Sequence, residues 1–148
     1  MDKQNTEPKV HFELLAQADR IKGIANLLFR RNRLTPHVLI LCPDEDLMQQ
    51  LDKLLWTIHP QAFLPHAIAT DDVEHNAKQP VLLATNMNRD NQATVLINAG
   101  LEVPPELQGF SHIVDFVDGW DEDLKQASRE RFKTYQQLSL HPTYIGKK

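Results

Sequence analysis

Residues 38–57, VLILCPDEDLMQQLDKLLWT, contain an apolar strand and the helix that follows it. The apolar run within His37–Cys42 has no alternating polar positions, which is typical of strands that are covered on both faces in parallel sheets. Asp44 then offers a side-chain oxygen that can cap a helix from Glu45 to Thr57. A strand followed directly by a capped helix is the repeating unit of α/β folds, so this stretch predicts that class.

The same alternation extends along the chain in both directions. A helix is predicted at Asp19–Leu34, and another begins near Leu124. The segment Asp71–Gln79 is expected to be a polar loop, and Gly100–Gly109 an irregular connection or a short turn of helix. The pattern predicts a single Rossmann-like three-layer α/β/α sandwich with a mainly parallel sheet, spanning residues 8–148 after a short polar extension of residues 1–7. The predicted strands are Lys9–Leu15, His37–Cys42, Phe63–Ala69, Pro80–Thr85, Thr94–Asn98 and His112–Val117.

Charge and composition limit the class of protein. The 148 residues carry a net charge of -4, whereas a protein that mainly grips nucleic acid needs a basic excess over a whole face. Cys42 is the only cysteine, so an internal disulfide and a thiolate zinc cluster are both excluded. No apolar run reaches the roughly 20 residues of a membrane helix. We therefore expect a soluble, cytoplasmic protein without membrane contact.

Motifs for catalysis or cofactor binding are missing from the sequence. The five glycines are too far apart to form G-x-G-x-x-G or a P-loop, which disfavours the alternative of a nucleotide-binding Rossmann-like enzyme. The seven histidines show neither H-x-x-x-H nor H-E-x-x-H spacing, and Cys42 is expected to be a small buried hydrophobe. The acidic groups at 44–46 and 121–123 lie where helices begin, where carboxylates favour the positive end of the helix dipole. No catalytic, cofactor or metal site is expected.

The C-terminal helix has two distinct faces. At about 100° per residue, one face carries Leu124, Ser128, Arg131, Tyr135 and Leu138, and this face is expected to pack on the sheet. The other face carries Lys125, Arg129 and Gln136, with Phe132 at its border. Two cations beside an aromatic ring are not needed for folding and suit an acidic, partly apolar peptide. The alternative is that Phe132 only widens the core stripe.

Two tryptophans have open roles. The inward stripe of the helix Glu45–Thr57 includes Leu51, and Trp56 falls about 140° away from it, off the core side. Its indole either covers the end of its own helix or is offered to a partner. Trp120, in the turn before the C-terminal helix, either lines a groove for a bound peptide or covers the start of that helix.

Several short blocks, taken in order, resemble the chi subunit family of bacterial DNA polymerase III, whose members are small accessory proteins attached to the clamp loader. The resemblance extends over nearly the whole chain, and its most specific block is 125–133, KQASRERFK. Each block is weak alone, but their order and spacing together are specific. The other blocks are Val38–Cys42 with the acidic turn after it, Leu51-Asp52, Leu55-Trp56, Phe63–His66, Pro80–Leu83, Val95–Asn98 and Val114–Val117.

The resemblance implies a non-catalytic accessory subunit with two binding surfaces and no cofactor. One surface holds the psi subunit, which tethers chi to the clamp loader, and Trp56 and Phe63 occupy the matching positions. A helicase is a further candidate partner for this surface. The implied protein bridges the clamp loader to single-stranded DNA-binding protein during DNA replication and contacts DNA only indirectly. Direct DNA binding by the basic helix would need more cations and stacking aromatics than this acidic chain displays.

The second implied surface takes the acidic C-terminal tail of single-stranded DNA-binding protein. Its matching positions are Val117, Lys125, Arg129 and Phe132. Arg129 would give a forked, charge-assisted bond and Lys125 a less directional charge, while Val117 and Phe132 would form the pocket wall for the terminal aromatic residue. Relatives commonly have tyrosine at the position of Phe132, so any hydrogen bond from that hydroxyl is absent here.

Overall fold

A computed structural model describes residues 7–15, 18–31, 37–59, 61 and 64–145 of the chain. All strand pairs in this part of the chain are parallel, and they form one seven-stranded sheet in the order β3-β4-β2-β5-β6-β1-β7. The predicted α/β class with a parallel sheet is confirmed. The elements are β1 (Lys9–Leu15), α1 (Arg20–Arg31), β2 (Val38–Leu41), α2 (Glu45–Thr57), β3 (Ala67–Ile68), α3 (Val73–Ala77), β4 (Val81–Ala84), β5 (Val95–Asn98), β6 (His112–Asp118), α4 (Glu122–Gln137) and β7 (Thr143–Ile145).

Both faces of the sheet are covered, which gives the three layers that the sequence predicts. On one face, α1 and α2 bury residues such as Ile24 and Leu51 against the sheet. On the other face, α4 buries Tyr135, and the irregular segment between β5 and β6 buries Phe110. Removing this apolar surface from water is the main favourable contribution to folding.

The register of β1 determines which side chains lie under α4. Phe12 pairs with Asp115 in β6 and with Tyr144 in β7, and Leu14 pairs with Val117 in β6. Paired residues of parallel neighbours point to the same side of a sheet, and alternate residues of one strand share a face. These five side chains therefore all lie on the face that α4 covers.

Aspartates begin the helices, as the sequence indicated. Asp44 accepts a hydrogen bond from the backbone N–H of Leu47 at the start of α2, and Asp121 accepts one from Leu124 at the start of α4. Each aspartate therefore satisfies a backbone donor that has no partner within the helix. The expectation that both acidic groups are helix starts is confirmed.

The structure corrects several predicted boundaries. The predicted strand Phe63–Ala69 contains only the two residues of β3, and Phe63 lies outside the described residues. The predicted polar loop Asp71–Gln79 holds α3, because Asp72 caps a short helix by accepting from the N–H groups of Glu74 and His75. The predicted helix Asp19–Leu34 begins at Arg20 and is described to Arg31, so its predicted last residues, 32–34, lie outside the described part.

The end of the chain differs most from the prediction. Leu138, which the projection placed on the packing face of α4, is exposed because the helix ends at Gln137 and Leu138 is its C-cap. The strand β7 was not predicted at all, yet it extends the sheet beside β1. In the described part of the chain, no helix has both the length and the apolar character that crossing a membrane requires.

Candidate functional site

A buried polar network holds the inner face of α4 against the sheet. Nε of Arg131 lies 3.0 Å from Oδ1 of Asp115, and Nη2 of Arg131 donates to the carbonyl of Phe116 at 2.7 Å. The hydroxyl of Tyr135 donates to Oδ2 of Asp115 at 2.7 Å, and Nδ2 of Asn98 donates to the same oxygen at 3.0 Å. The network fixes the rotation of α4, because both Arg131 and Tyr135 must face the Asp115 carboxylate.

Burial, and secondarily the neighbouring Asp115 carboxylate, raise the pKa of Tyr135 above its ordinary value. The phenol therefore keeps its proton and remains a donor to Asp115. Each polar group of the network thus has a charged or hydrogen-bonding partner, as buried polar groups require.

The same rotation of α4 that buries Arg131 and Tyr135 places Phe132 at the border between the core and the surface. Its ring centroid is 5.3 Å from that of Phe12 in β1 and 4.8 Å from that of Tyr144 in β7, with only 10° between the planes of Phe132 and Tyr144. Val117 of β6 is also partly buried and packs against the same apolar cluster as Phe132. The structure thus brings two of the predicted tail-binding residues to one face of the sheet.

The two predicted cations lie on the outer part of α4, one and two turns before Phe132. Arg129 is exposed, and its Nη1 donates to Oε1 of Gln126 at 3.1 Å, which leaves most of its five N–H donors for other acceptors. Lys125 Nζ lies 3.2 Å from Oε2 of Glu122, an exposed carboxylate. Exposed pairs of this kind contribute about 0 to 1 kcal/mol, so a bound anionic group can replace Glu122 at low cost.

Two further side chains on this face were missed by the sequence reasoning. Leu14 and Tyr144 are 46% and 57% exposed, although both are large and apolar or aromatic. Their strands place them beside Val117 and Phe132 respectively. The sequence signal for Tyr144 was the run Thr143–Ile145, three residues that favour strands. We call Leu14, Val117, Lys125, Arg129, Phe132 and Tyr144 the α4 surface.

Trp56 lies elsewhere, near the end of α2. Its side chain is 52% exposed, which confirms that it points away from the core, and its ring centroid is 4.4 Å from that of His66. His66 is buried and has Nδ1 2.7 Å from the carbonyl oxygen of Leu64, so this nitrogen is the donor. Nε2 of His66 lies 3.3 Å from Oδ1 of Asp52, without the geometry of a hydrogen bond. Phe63, the other predicted psi-binding residue, is outside the described residues.

We call Trp56 and the neighbouring side chains of His66 and Asp52 the Trp56 region. The Trp56 region and the α4 surface are on opposite sides of the molecule. Trp56 belongs to α2, which packs on the face opposite α4 and contacts β3 and β4. The α4 surface lies over β6, β1 and β7, and β3 and β7 are the two edges of the sheet. A partner at one surface therefore does not occupy the other.

A cavity of about 1080 Å³ lies at the carboxyl ends of β2 and β5. After β2 the chain turns to the face of α2, and after β5 it turns to the opposite face, so the cavity opens where parallel α/β sheets bind ligands. Trp120 lines this cavity, as does Arg20.

The chemistry of the cavity does not suit a nucleotide phosphate. Arg20 is the only Lys or Arg among the described lining residues, and it is already bonded to the buried Asp118 carboxylate and to the carbonyls of Ala99 and Gly100. The lining also contains three carboxylates, those of Asp19, Asp44 and Glu102. Negative charge without a free cation repels phosphate.

Cys42 also lines the cavity, but it is not a candidate nucleophile. Burial, with a smaller effect from Asp44, raises the pKa of its thiol to about 12. The thiolate, which is the reactive form, is therefore scarce at neutral pH. The expectation that Cys42 is a small buried side chain is confirmed, since it is 1% exposed. Among the described residues there is no group of three or more His, Cys, Asp or Glu side chains placed to hold a metal ion.

Comparison with known proteins relates the chain to the following family. The family model described as "DNA polymerase III chi subunit, HolC" matches residues 8–143. DNA polymerase III subunit chi of Pseudomonas aeruginosa is 30% identical over 132 residues, covering 87% of this chain and 89% of the relative. DNA polymerase III subunit chi of Escherichia coli K12 is 32% identical over 114 residues, covering 76% of each chain.

A similar fold is also found among solved structures. The C-terminal domain of S. cerevisiae Dbp5, solved in complex with Gle1 and IP6, superimposes with a TM-score of 0.60 over 95% of this chain and 92% of that domain. The two sequences are only 12% identical, so the likeness shows the fold alone.

Proposed function

The chain belongs to the family of DNA polymerase III chi subunits, and on this premise we propose that it bridges the clamp loader to single-stranded DNA-binding protein. The α4 surface is proposed to bind the acidic C-terminal tail of that protein, and the Trp56 region to bind the psi subunit. The bridging role is non-catalytic and contacts DNA only through partners.

The observation that supports the proposal is that the inner and outer faces of α4 have different side chains and different contacts. Arg131 and Tyr135 use the inner face for the Asp115 network, while Lys125 and Arg129 remain on the outer face beside the partly buried ring of Phe132. An acidic peptide with an apolar end needs both a forked cation and an apolar wall. The α4 surface supplies both within about two helical turns.

The Trp56 region supports the second half of the proposal. A half-exposed tryptophan with its ring against His66 is a side chain of the kind that dominates the energy of protein interfaces. Because it lies on the face opposite the α4 surface, psi and the tail can bind at the same time. A helicase would use the same Trp56 region and would therefore compete with psi.

Calorimetric titration with the C-terminal tail peptide of the host's single-stranded DNA-binding protein tests the tail site. We expect Arg129→Ala to weaken binding by at least about tenfold, since a hydrogen bond between charged groups contributes roughly 1.5–3 kcal/mol. We also expect raised salt to weaken the wild type, because salt screens exposed charges. The matched control is Arg30→Ala, which removes an exposed cation from α1 on the other face and should leave binding unchanged.

Two results would contradict the proposed tail site. The first is the absence of binding by the wild type at high micromolar peptide. The second is an equal loss in the Arg30→Ala and Arg129→Ala variants, because that loss would reflect overall charge and not a site on α4.

A further inference from the structure

The cavity at the carboxyl ends of β2 and β5 belongs to neither of the two proposed partner surfaces. Its described walls come from the starts of α1 and α2, the residues after β4, the segment after β5 and the turn before α4. No residue of the α4 surface lines it, and neither does Trp56. A volume of about 1080 Å³ at the place where parallel α/β sheets bind ligands has room for a small organic molecule.

Most of the cavity wall is apolar. Two of its large side chains, Leu101 and Trp120, are 44% and 38% exposed. Large apolar side chains that stay exposed in a concave surface are typical of a ligand site. The other apolar side chains of the wall include Leu41, Leu47, Met87 and Val103.

The charge of the cavity determines which ligands it favours. Asp19, Asp44 and Glu102 line it, and among the described residues none of the three is paired with a cationic side chain. Arg20, the lining cation, is neutralised by the buried carboxylate of Asp118. The remaining charge is therefore negative, and it attracts a cation.

The helix starts that border the cavity are not open to an anion. The backbone N–H of Lys22 donates to Oδ1 of Asp19 at 3.0 Å, and that of Leu47 donates to Oδ1 of Asp44 at 2.8 Å. Unpaired N–H groups at a helix start are the groups that bind phosphate in α/β proteins, and here the chain's own carboxylates occupy them. Each carboxylate keeps a second oxygen that can accept from an ammonium group.

We propose that this cavity binds a small organic cation, an amine with an apolar or aromatic body. The apolar wall takes the body, and the carboxylates of Asp19, Asp44 and Glu102 take the ammonium group. The ring of Trp120 adds to this, because tryptophan is the best aromatic partner of a cation. The inference is independent of the proposed function, since it uses none of the residues proposed to bind psi or the tail.

NMR titration of the full-length ¹⁵N-labelled chain with tryptamine tests the site. The two tryptophans give two indole N–H signals, which the Trp120→Phe variant assigns. We expect the Trp120 signal to shift and saturate with a Kd on the order of 1 mM, as suits a ligand of this size. The Trp56 signal is the internal control and should not shift, because Trp56 lies near the far end of α2 and does not line the cavity.

A second probe with the same indole ring tests the preference for a cation. Indole-3-propionate is an anion at neutral pH, and we expect it to bind at least about tenfold more weakly than tryptamine, because the carboxylates repel it.

Charge-removing variants test the named carboxylates. Glu102→Gln should weaken tryptamine binding by about threefold, and Asp44→Asn should do the same while its side chain still caps α2. The matched control is Glu130→Gln, which removes an exposed carboxylate from α4 away from the cavity and should bind like the wild type.

Four results would overturn the proposed site. They are the lack of a saturable Trp120 shift up to about 10 mM tryptamine, an equal shift of the Trp56 signal, equal affinity for tryptamine and indole-3-propionate, and an equal loss in Glu130→Gln and Glu102→Gln. The last would show that the effect follows the net charge of the protein and not the cavity.

Discussion

At the scale of single residues, Asp115 orients α4, because the buried side chains of the helix bond to its carboxylate. Its carboxylate is fully buried and is bonded to Arg131, Tyr135, Asn98 and its neighbouring backbone N–H. Arg131 lies only two positions from Arg129, yet one side chain is buried in this network and the other is exposed. Two arginines of the same helix therefore have different roles, one structural and one proposed for binding.

We predict that Arg131→Ala lowers the free energy of unfolding by about 3–5 kcal/mol, because it leaves the Asp115 carboxylate buried without its cation. Arg129→Ala is the matched control and should change the free energy of unfolding by no more than about 0.5 kcal/mol. Urea denaturation followed by circular dichroism measures both. Equal destabilisation by the two variants would contradict the assignment of Arg131 to the core.

Because folding raises the pKa of the Cys42 thiol, we predict that the free energy of unfolding depends on pH. Its pKa is raised from 9.0 to about 12 in the folded protein, so folding favours the protonated thiol. This contribution is complete below about pH 9 and is lost as the pH rises toward 12. Between pH 8 and pH 10 we expect the free energy of unfolding of the wild type to fall by roughly 1.4 kcal/mol more than that of Cys42→Ala. Urea denaturation at each pH measures both. An equal decrease in the free energy of unfolding of the two proteins would show that Cys42 does not contribute to the pH dependence.

At the scale of elements, the sequence predicted the buried parts well. The runs of β2, β4 and β5 are covered on both faces, so their apolar character is strong. The 100° projection of α4 correctly put Ser128, Arg131 and Tyr135 inside. The projection failed for Leu138 because it assumed that the helix continues, whereas the helix ends at Gln137.

The short elements at the sheet edges could not be predicted in the same way. The two residues of β3, the five of α3 and the three of β7 are too short to show a period, and their positions depend on pairing with distant strands. The local signals were limited to the Asp72 cap of α3 and the three strand-favouring residues of β7. For this reason Lys125, Arg129 and Phe132 could be identified from the helix alone, whereas Leu14 and Tyr144 required the sheet register.

The start of α4 gives a prediction at this scale. Asp121→Ala removes the side-chain acceptor of the Leu124 N–H and should lower the free energy of unfolding by about 1 kcal/mol. Asp123→Ala, in the first turn of the same helix, removes only a favourable interaction with the helix dipole. It should lower the free energy of unfolding by about 0.3–1 kcal/mol at low salt and by less at high salt. Thermal denaturation at two salt concentrations separates the cap from the dipole. A salt-dependent effect of equal size in both variants would argue against capping by Asp121.

At the scale of the whole molecule, the sheet separates the two surfaces that we propose to bind partners. Trp56 and the α4 surface lie on opposite faces and toward opposite edges, with the packed core between them. A bridging subunit requires this separation, since overlapping surfaces would make its partners compete.

The separation predicts that the two surfaces can be disabled independently. We expect Trp56→Ala to weaken binding to purified psi by at least tenfold and to leave the affinity for the tail peptide within about twofold of the wild type. Arg129→Ala should do the reverse. Size-exclusion chromatography with psi and calorimetry with the peptide measure the two effects. Loss of both activities in either variant would contradict two independent surfaces.

The most direct test of the bridging role is calorimetric titration of the tail peptide into the purified complex of this chain with psi. We predict that the complex binds the peptide with an affinity within about twofold of that of the chain alone, and that the same complex made with Arg129→Ala binds it about tenfold more weakly. Failure of the psi complex to bind a peptide that the free chain binds would mean that the partners exclude each other, and the bridging account would then be wrong.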